Sequence, residues 1–430
     1  MHSEMKQIFA LCDVNAMYAA CETVFDPSLV GRPVVVASNN DGCAVARNTE
    51  AKALGIKMGQ PIFELKEHVE KNGLVVCSSN YALYGDMSFR FIQTLTTFSP
   101  GVMPYSIDEA FLDLTGIESV VSYEDFGHQI KSVVKQWTGL PICVGVAPSP
   151  TLAKLANHGA KKYPATRGVV DLTDRDRQRR LLKLVSASEI WGIGSKLSKR
   201  LADLGIETGL HLADANPKWI RKHFSVVVER TVRELNGVPC HDDLLEVAPA
   251  KKQILCSKSF GSPVTDLDSM LSAVSHHATR ATEKLRKENR ECGYLATFMS
   301  TSRYRSSEHY ANQRGIALPY PTADTREICK QAVTLARALW RDGFKYNKAG
   351  IVLSDFRVPG ACQSDFFSRI EDDKRDQELM RTLDKINSIA GKNTVRFGRQ
   401  IHNNTDWQMR RENLSPAYTT RWSDIPIVRT

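Results

Sequence analysis

Three acidic residues carry the strongest chemical signal in this chain of 430 residues. Asp108 and Glu109 lie side by side in Ser106-Ile107-Asp108-Glu109-Ala110-Phe111-Leu112-Asp113, flanked by apolar residues that read as strand. Asp13 follows the apolar run Ile8-Phe9-Ala10-Leu11-Cys12 in a similar way. A strand sends alternate side chains to opposite faces, so a carboxylate ending a buried strand is costly unless a cation or a donor meets it. Hard divalent cations such as Mg²⁺ take oxygen ligands, a few from protein and the rest from phosphate or water. Two strand ends that bring Asp13 to Asp108 and Glu109 would build a two-metal site for in-line attack at phosphorus. The other use of such an acidic pair is to cap a solvated hairpin, the ordinary setting of charged residues.

Carboxylates so placed need a sheet and its helices to hold them. Residues 6 to 13 read as a strand, and 16 to 24 suit a short helix. Val34 to Ser38 is a second strand, ended by the turn cluster Asn39-Asn40-Asp41-Gly42. Arg47 to Leu54 suits a helix with Asn48 near its start and Gly55 just past its end. Val75 to Cys77, Phe111 to Leu114 and Ile142 to Ala147 read as further strands. Ser149-Pro150 is an N-cap followed by proline at the first helical position, opening a helix from Thr151 to Lys162. The stretch from Arg175 to Cys240 is mostly helical, with two short glycine turns. Beyond Ala250 the pattern changes to strand (254–260), helix (267–289), strands (294–302 and 309–318), helix (325–340) and strand (349–353). That order, β-α-β-β-α-β, describes a small compact module. A tail beyond Gly360 holds one amphipathic helix, about 376 to 389.

The length suggests three or four domains. A composition of 42% hydrophobic and 24% charged residues, with a mean hydropathy of −0.29, is that of a soluble globular protein. No apolar run approaches the ~20 residues that cross a bilayer. The first residues lack the layout of a signal peptide, so a cytoplasmic protein is expected. Ten cysteines are scattered singly, with no Cys-x-x-Cys and no zinc spacing, as reduced core thiols would be. The net charge of +9 is uneven. Residues 251 to 357 hold 18 Lys and Arg against 10 Asp and Glu, whereas residues 1 to 173 hold 14 against 17. A basic module beside an acidic, metal-holding one is the asymmetry of an enzyme acting on nucleic acid.

The segment Cys12-Asp13-Val14-Asn15-Ala16-Met17-Tyr18-Ala19-Ala20, taken with Tyr105 to Ala110, resembles the Y-family DNA polymerases, the lesion-bypass enzymes. Asn39 to Cys43, Glu50 to Gly55 and Leu414 to Arg421 are similar to the UmuC-like branch, the catalytic subunits of bacterial SOS mutagenesis polymerases, chromosomal or plasmid-borne. The resemblance covers nearly the whole chain. It implies a multidomain α+β fold, a right hand with a palm (1–16 and 84–173), fingers (17–83) and a helical thumb (174–244). A β-α-β-β-α-β little finger (251–357) and a C-terminal partner-binding tail (358–430) would follow.

The same resemblance implies error-prone, template-directed translesion synthesis by two-metal nucleotidyl transfer, with two Mg²⁺ ions. Asp13 and Asp108 would bridge the metals, Glu109 would complete the site on the side of the primer 3′-hydroxyl, and the Val14 carbonyl would be a further ligand. Tyr18 matches the position of the steric gate, a ring that leaves no room for a 2′-hydroxyl. Met17 departs from the aromatic common beside that gate. Lys52 and Lys161 match lysines on the triphosphate, whose oxygens suit point charges. Thr49 stands where many relatives have a phosphate-binding tyrosine. Trp191-Gly192-Ile193-Gly194-Ser195-Lys196 resembles the thumb's helix-hairpin-helix, in which Gly192, Gly194 and Lys196 would meet a DNA phosphate.

The basic module would track the DNA backbone rather than read bases, with Arg280, Lys284 and Lys287 on one helical face and Arg303 and Arg305 near a strand end. Gln363-Ser364-Asp365-Phe366-Phe367 resembles a sliding-clamp motif, giving Gln363, Phe366 and Phe367 that role. The implied partners are primer-template DNA, dNTPs, UmuD′-like accessory subunits, a RecA filament and the clamp, at the nucleoid and with no membrane. Two other classes use the same residues. A palm-fold cyclase would need no duplex grip, and a polymerase-like scaffold without catalysis would not need three carboxylates and two lysines intact.

Overall fold

The computed structural model describes residues 7–240, 250–302, 308–360, 370–391, 393–398, 407–425 and 427. The chain divides into two compact units, Met1–Ala248 with Asn413–Thr430, and Pro249–Glu412. The first begins β1 (Phe9–Val14), α1 (Met17–Phe25), β2 (Val34–Ala37), β3 (Ala44–Arg47), α2 (Thr49–Ala53), α3 (Lys66–Asn72), β4 (Val75–Ser78) and α4 (Tyr81–Leu95). It continues β5 (Val102–Pro104), β6 (Glu109–Asp113), α5 (Tyr123–Thr138), β7 (Ile142–Ala147), α6 (Pro150–Lys162) and β8 (Val169–Asp171). Five helices follow, α7 (Arg175–Leu184), α8 (Ser195–Ala202), α9 (Gly209–Asp214), α10 (Pro217–His223) and α11 (Val226–Leu235).

The principal sheet has the order β5-β6-β1-β7-β8, with β1 central and antiparallel to both neighbours. Every residue of β1 is buried, and the period of two divides them between layers. Ala10, Cys12 and Val14 join a core with Leu83, Phe91 and Leu95 of α4 and Ile130 and Val134 of α5. Phe9 and Leu11 face the other way, into a core with Leu152 and Ala156 of α6. Asp13 is the next residue on that second face. Helix α6 starts where Ser149 accepts from the Leu152 N–H with Pro150 at its first position. It lies close against β7 at Gly145, where a Cβ would come within 2.3 Å of the Asn157 nitrogen and 2.5 Å of the Ala153 oxygen. Asn157, buried on α6, donates to the carbonyls of Leu11 at 3.2 Å and Cys143 at 2.9 Å, tying the helix to two strands at once. A smaller sheet, β3-β2-β4, carries α2, which Asn48 caps by accepting from the Ala51 N–H.

The second unit runs β9 (Gln253–Val264), α12 (Leu267–Lys287), β10 (Glu291–Thr301), β11 (Ala311–Thr322), α13 (Thr325–Leu339) and β12 (Tyr346–Arg357), the expected β-α-β-β-α-β order. Its strands pair antiparallel as β11-β10-β12-β9. The helical stripe Ile328, Ala332, Leu335, Ala336 and Leu339 is buried against it, as its spacing required. A further helix, α14 (Ile370–Ile389), is held to α12 by a two-oxygen pair in which Arg286 donates to Asp384 at 2.7 Å twice.

The tail is therefore not one body. Residues up to Glu412 belong to the second unit, where Trp407 enters the core, and Asn413 onward belongs to the first. A partly buried ion pair and one aromatic anchor draw the first part in, signals that a reading of helical periodicity passes over. The described cysteines are free thiols, and burial pushes Cys21, Cys77 and Cys292 up to about 12. Among the described residues no helix is long and apolar enough to cross a membrane.

Candidate active site

Register brings the acids together. Asp13 on β1 is the direct partner of Glu109 on β6, so both side chains stand on the face covered by α6. Asp108 sits just before β6, and its carbonyl accepts from the Val14 N–H at 2.8 Å. Strand β6 begins at Glu109, not at Phe111, and this extra length creates the pairing.

Each acid has its own partner. Lys161 donates to Asp13 at 2.5 Å. Lys154 donates to both oxygens of Glu109, at 3.0 and 2.9 Å. The Ser106 hydroxyl donates to Asp108 at 2.5 Å. Asp13 is only 6% exposed, and its carboxyl is pushed up to about 7. Burial is the main cause; the Lys161 ammonium opposes it and neighbouring Glu109 adds to it. Among the described residues no three His, Cys, Asp or Glu side chains are grouped to hold a metal ion. The donor set nonetheless suits a hard cation. It is all oxygen, it lies on two adjacent strand ends, and burial leaves Asp13 in need of more positive charge than one lysine supplies.

Lys154 and Lys161 are seven residues apart on α6, two turns, and so share one face. The Lys154 ammonium is enclosed by rings, 4.4 Å from the centroid of Tyr105 and 5.2 Å from that of Trp191. Tyr105 and Trp191 meet edge to face at 5.7 Å. Trp191 opens the glycine hairpin, so that hairpin adjoins the Glu109 side of the site. Gly192 has φ +87°, a conformation that only glycine adopts readily, and Gly194 precedes α8 with no atom within 4 Å of the position a Cβ would take. Lys196 lies in the first turn of α8. The start of α6 is held by α11, whose buried Glu234 accepts from the Thr151 N–H at 2.9 Å.

Lys52 and Lys161, with Asn15, Ala16, Asn48 and Thr49, line a cavity of about 740 Å³. Lys52 is lowered by burial first and then by the like charges of Arg47 and Lys161, which places three cations near one space. Tyr18 lies on another side of α1. Its ring stacks on Tyr84, centroids 4.4 Å apart at 13°, and meets Tyr81 edge-on at 6.1 Å. Burial raises its phenol, with the charges of Tyr81 and Asp108 adding to the effect, so the ring is near the acid cluster. Ala16 holds φ +49° without being glycine, and that left-handed turn lets the chain leave β1 and enter α1 within three residues. Met17 is buried in the core.

Arg280 is paired with Glu283 at 2.5 Å, and Arg286 is committed to Asp384, so neither is a free cation of α12. Arg303, Arg305, Gln363, Phe366 and Phe367 lie outside the described residues. Lys154, Asn157 and Tyr84 were not singled out by sequence. For Lys154 the signal was the spacing of seven from Lys161; for Asn157 and Tyr84 it was tertiary only.

A five-stranded sheet carrying registered acids, backed by a lysine-bearing helix and joined to a separate β-α-β-β-α-β unit, has the fold of the Y-family DNA polymerases. A solved Y-family DNA polymerase chimera superimposes with a TM-score of 0.64 at 22% identity, over 82% of this chain and 99% of that one. Residues 12–158 match the impB/mucB/samB family, 251–366 match its C-terminal domain, and 377–428 match a domain of unknown function. Protein UmuC of Salmonella typhimurium strain LT2 is 50% identical over 98% of this chain and 100% of its own length. Protein MucB of Escherichia coli is 46% identical over 98% and 99%, and DNA polymerase IV of Bacillus anthracis 26% over 93% and 95%. The chain belongs to the impB/mucB/samB family, a UmuC-like branch of the Y-family polymerases.

Proposed function

We propose that this chain is a template-directed DNA polymerase that copies damaged templates during SOS mutagenesis, with Asp13, Asp108 and Glu109 carrying the chemistry. The observation that supports this most is the direct pairing of Asp13 with Glu109 across β1 and β6, beneath two lysines of one helix. Asp13, Asp108, Glu109 and the Val14 carbonyl would hold two Mg²⁺ ions. When bound, these supply a lowered pKa at the primer hydroxyl and neutralise the triphosphate and the leaving pyrophosphate.

The chain's own residues do the rest. Lys52 and Lys161 bind triphosphate oxygens, Lys161 exchanging Asp13 for them. Lys154, bonded to both oxygens of Glu109, holds that carboxylate aimed. Tyr18 rejects the ribose 2′-hydroxyl by occupying its space. The Gly192–Lys196 hairpin takes a phosphate of the primer-template duplex. Gln363, Phe366 and Phe367 dock a sliding clamp, and UmuD′-like subunits and a RecA filament act on the assembled enzyme. Of the terminal residues, Ser415 and Tyr418 make side-chain contacts within the first unit, whereas Leu414, 44% exposed, and Trp422, 90% exposed, are open to an accessory subunit.

Primer extension tests the core of this reading. Asp108→Ala or Asp13→Ala should lower nucleotide addition by several orders of magnitude while primer-template affinity stays within a few-fold. More than a tenth of the original rate in both variants would remove the two-metal assignment. Equal loss of DNA binding would point instead to a DNA-holding scaffold.

A further inference from the structure

Residues 413–418 return to the first unit at one place, behind the helix that carries Tyr18. Ser78 at the end of β4 pairs with this segment as in a short parallel bridge. Its N–H donates to the Asn413 carbonyl at 2.8 Å, and its hydroxyl accepts from the Asn413 N–H at 3.0 Å. Asn80, buried at the start of α4, donates to the Ser415 carbonyl, the Ser415 hydroxyl and the Pro416 carbonyl at 3.1, 3.0 and 3.2 Å. Tyr418 stacks on Phe25 of α1, centroids 4.9 Å apart at 6°.

The contact that matters for chemistry is with Glu22. This residue is one helical turn beyond Tyr18 on α1 and only 3% exposed. One oxygen, Oε1, accepts from the Tyr84 hydroxyl at 2.5 Å and from the Ser415 hydroxyl at 3.1 Å. Burial raises the Glu22 carboxyl, and these two donors oppose that rise without cancelling it. A buried carboxylate depends on such donors. Tyr84 in turn is the ring on which Tyr18 stacks. A continuous chain of contacts thus runs Ser415–Glu22–Tyr84–Tyr18, and its far end is the surface that would meet the sugar.

We propose that the terminal segment is a specificity element: Ser415, through Glu22 and Tyr84, holds the Tyr18 ring where it excludes a ribonucleotide. Ser415, Glu22 and Tyr84 are positioning residues, and the inference rests on the reading of Tyr18 as the sugar gate. It assigns a task to the last part of the segment that matches a domain of unknown function. Residues of the expected partner-binding tail would thereby also act inside the chain.

The test compares kcat/KM for a dNTP and the matching rNTP in the full chain, for Ser415→Ala, Ser415→Thr, Tyr84→Phe and Tyr18→Ala. A hydrogen bond to a charged group is worth roughly ten- to a hundredfold, and the part of it passed along the contacts to the Tyr18 ring is taken as about 3- to 10-fold. Ser415→Ala and Tyr84→Phe should lose about that factor of sugar discrimination, mainly by faster rNTP use. Ser415→Thr keeps the hydroxyl and should retain the original ratio. Unchanged discrimination in Ser415→Ala, with relaxed discrimination in Tyr18→Ala, overturns the inference and leaves the gate standing. Unchanged discrimination in Tyr18→Ala overturns the gate itself. An equal fall for both nucleotides in Ser415→Ala, with a lowered melting temperature, also overturns the inference, because it reports a merely structural strap.

Discussion

Lys161 stands between the acids and the cavity. It pairs with Asp13 and also lines the cavity that holds Lys52. A point charge that can serve either a carboxylate or a phosphate would suit the proposed site, which would first stay folded and then admit a triphosphate. Each charged hydrogen bond to such a group is worth about 1.5–3 kcal/mol, or roughly ten- to a hundredfold. Lys161→Ala should raise the KM for dNTP by about that factor, with a smaller effect on kcat. Steady-state kinetics on a short primer-template would measure it. A fall in kcat at unchanged KM would mean that Lys161 acts on Asp13 alone. Lys154 differs in kind. Its ammonium is enclosed by Tyr105 and Trp191 and spent on Glu109, so its service is to aim a carboxylate rather than to take substrate.

Among the elements, α6 decides the site, because it carries both lysines and covers the acidic face of the sheet. Its distance from the sheet is set at Gly145, where backbone meets backbone. A methyl group there would lie 2.3 Å from the Asn157 nitrogen, and the helix would have to move. Gly145→Ala should destabilise the protein by roughly 1–3 kcal/mol. It should also lower the polymerase rate by more than the folded fraction alone explains, since Lys154 and Lys161 shift together. Gly85→Ala is the matched control. Gly85 lies within α4, nothing stands within 4 Å of its would-be Cβ, and alanine favours a helix by about 1 kcal/mol. Thermal unfolding and single-turnover rates of the two variants separate the cases. Equal rates would show that the lysines tolerate displacement of the helix.

For the molecule as a whole, charge and connectivity carry the argument. Residues 251–357 hold 18 basic against 10 acidic residues, and residues 1–173 are slightly acidic. On the proposed function, this asymmetry would separate chemistry on a polyanion from grip on it, with repulsion near the acids offset by attraction elsewhere. Affinity for primer-template should fall steeply with salt, each neutralised phosphate contributing about −0.9 to the slope of log K against log salt. It should vary little between unrelated sequences. Titrations at several salt concentrations on three or more templates would decide this. A flat salt response, or preference for one template, contradicts backbone tracking. The chain also passes between its two units twice, once before Pro249 and again after Glu412.

Local pattern alone specified much of this protein. The strand ending in Asp13, the proline-opened helix with Lys161, the glycine turn after Trp191 and the β-α-β-β-α-β order were all legible. Each depends on periodicity, capping or φ preference, which neighbours in sequence largely determine. The family resemblance added the functional class. Register and depth were decided by tertiary structure. Only strand pairing sets Asp13 opposite Glu109, and only packing of α6 on Gly145 brings Lys154 to that acid. The division of the tail between two units, and the bond from Ser415 to Glu22, join residues 393 positions apart. No spacing rule reaches that far. Such contacts form because a buried carboxylate on α1 needs donors, and the returning tail carries one.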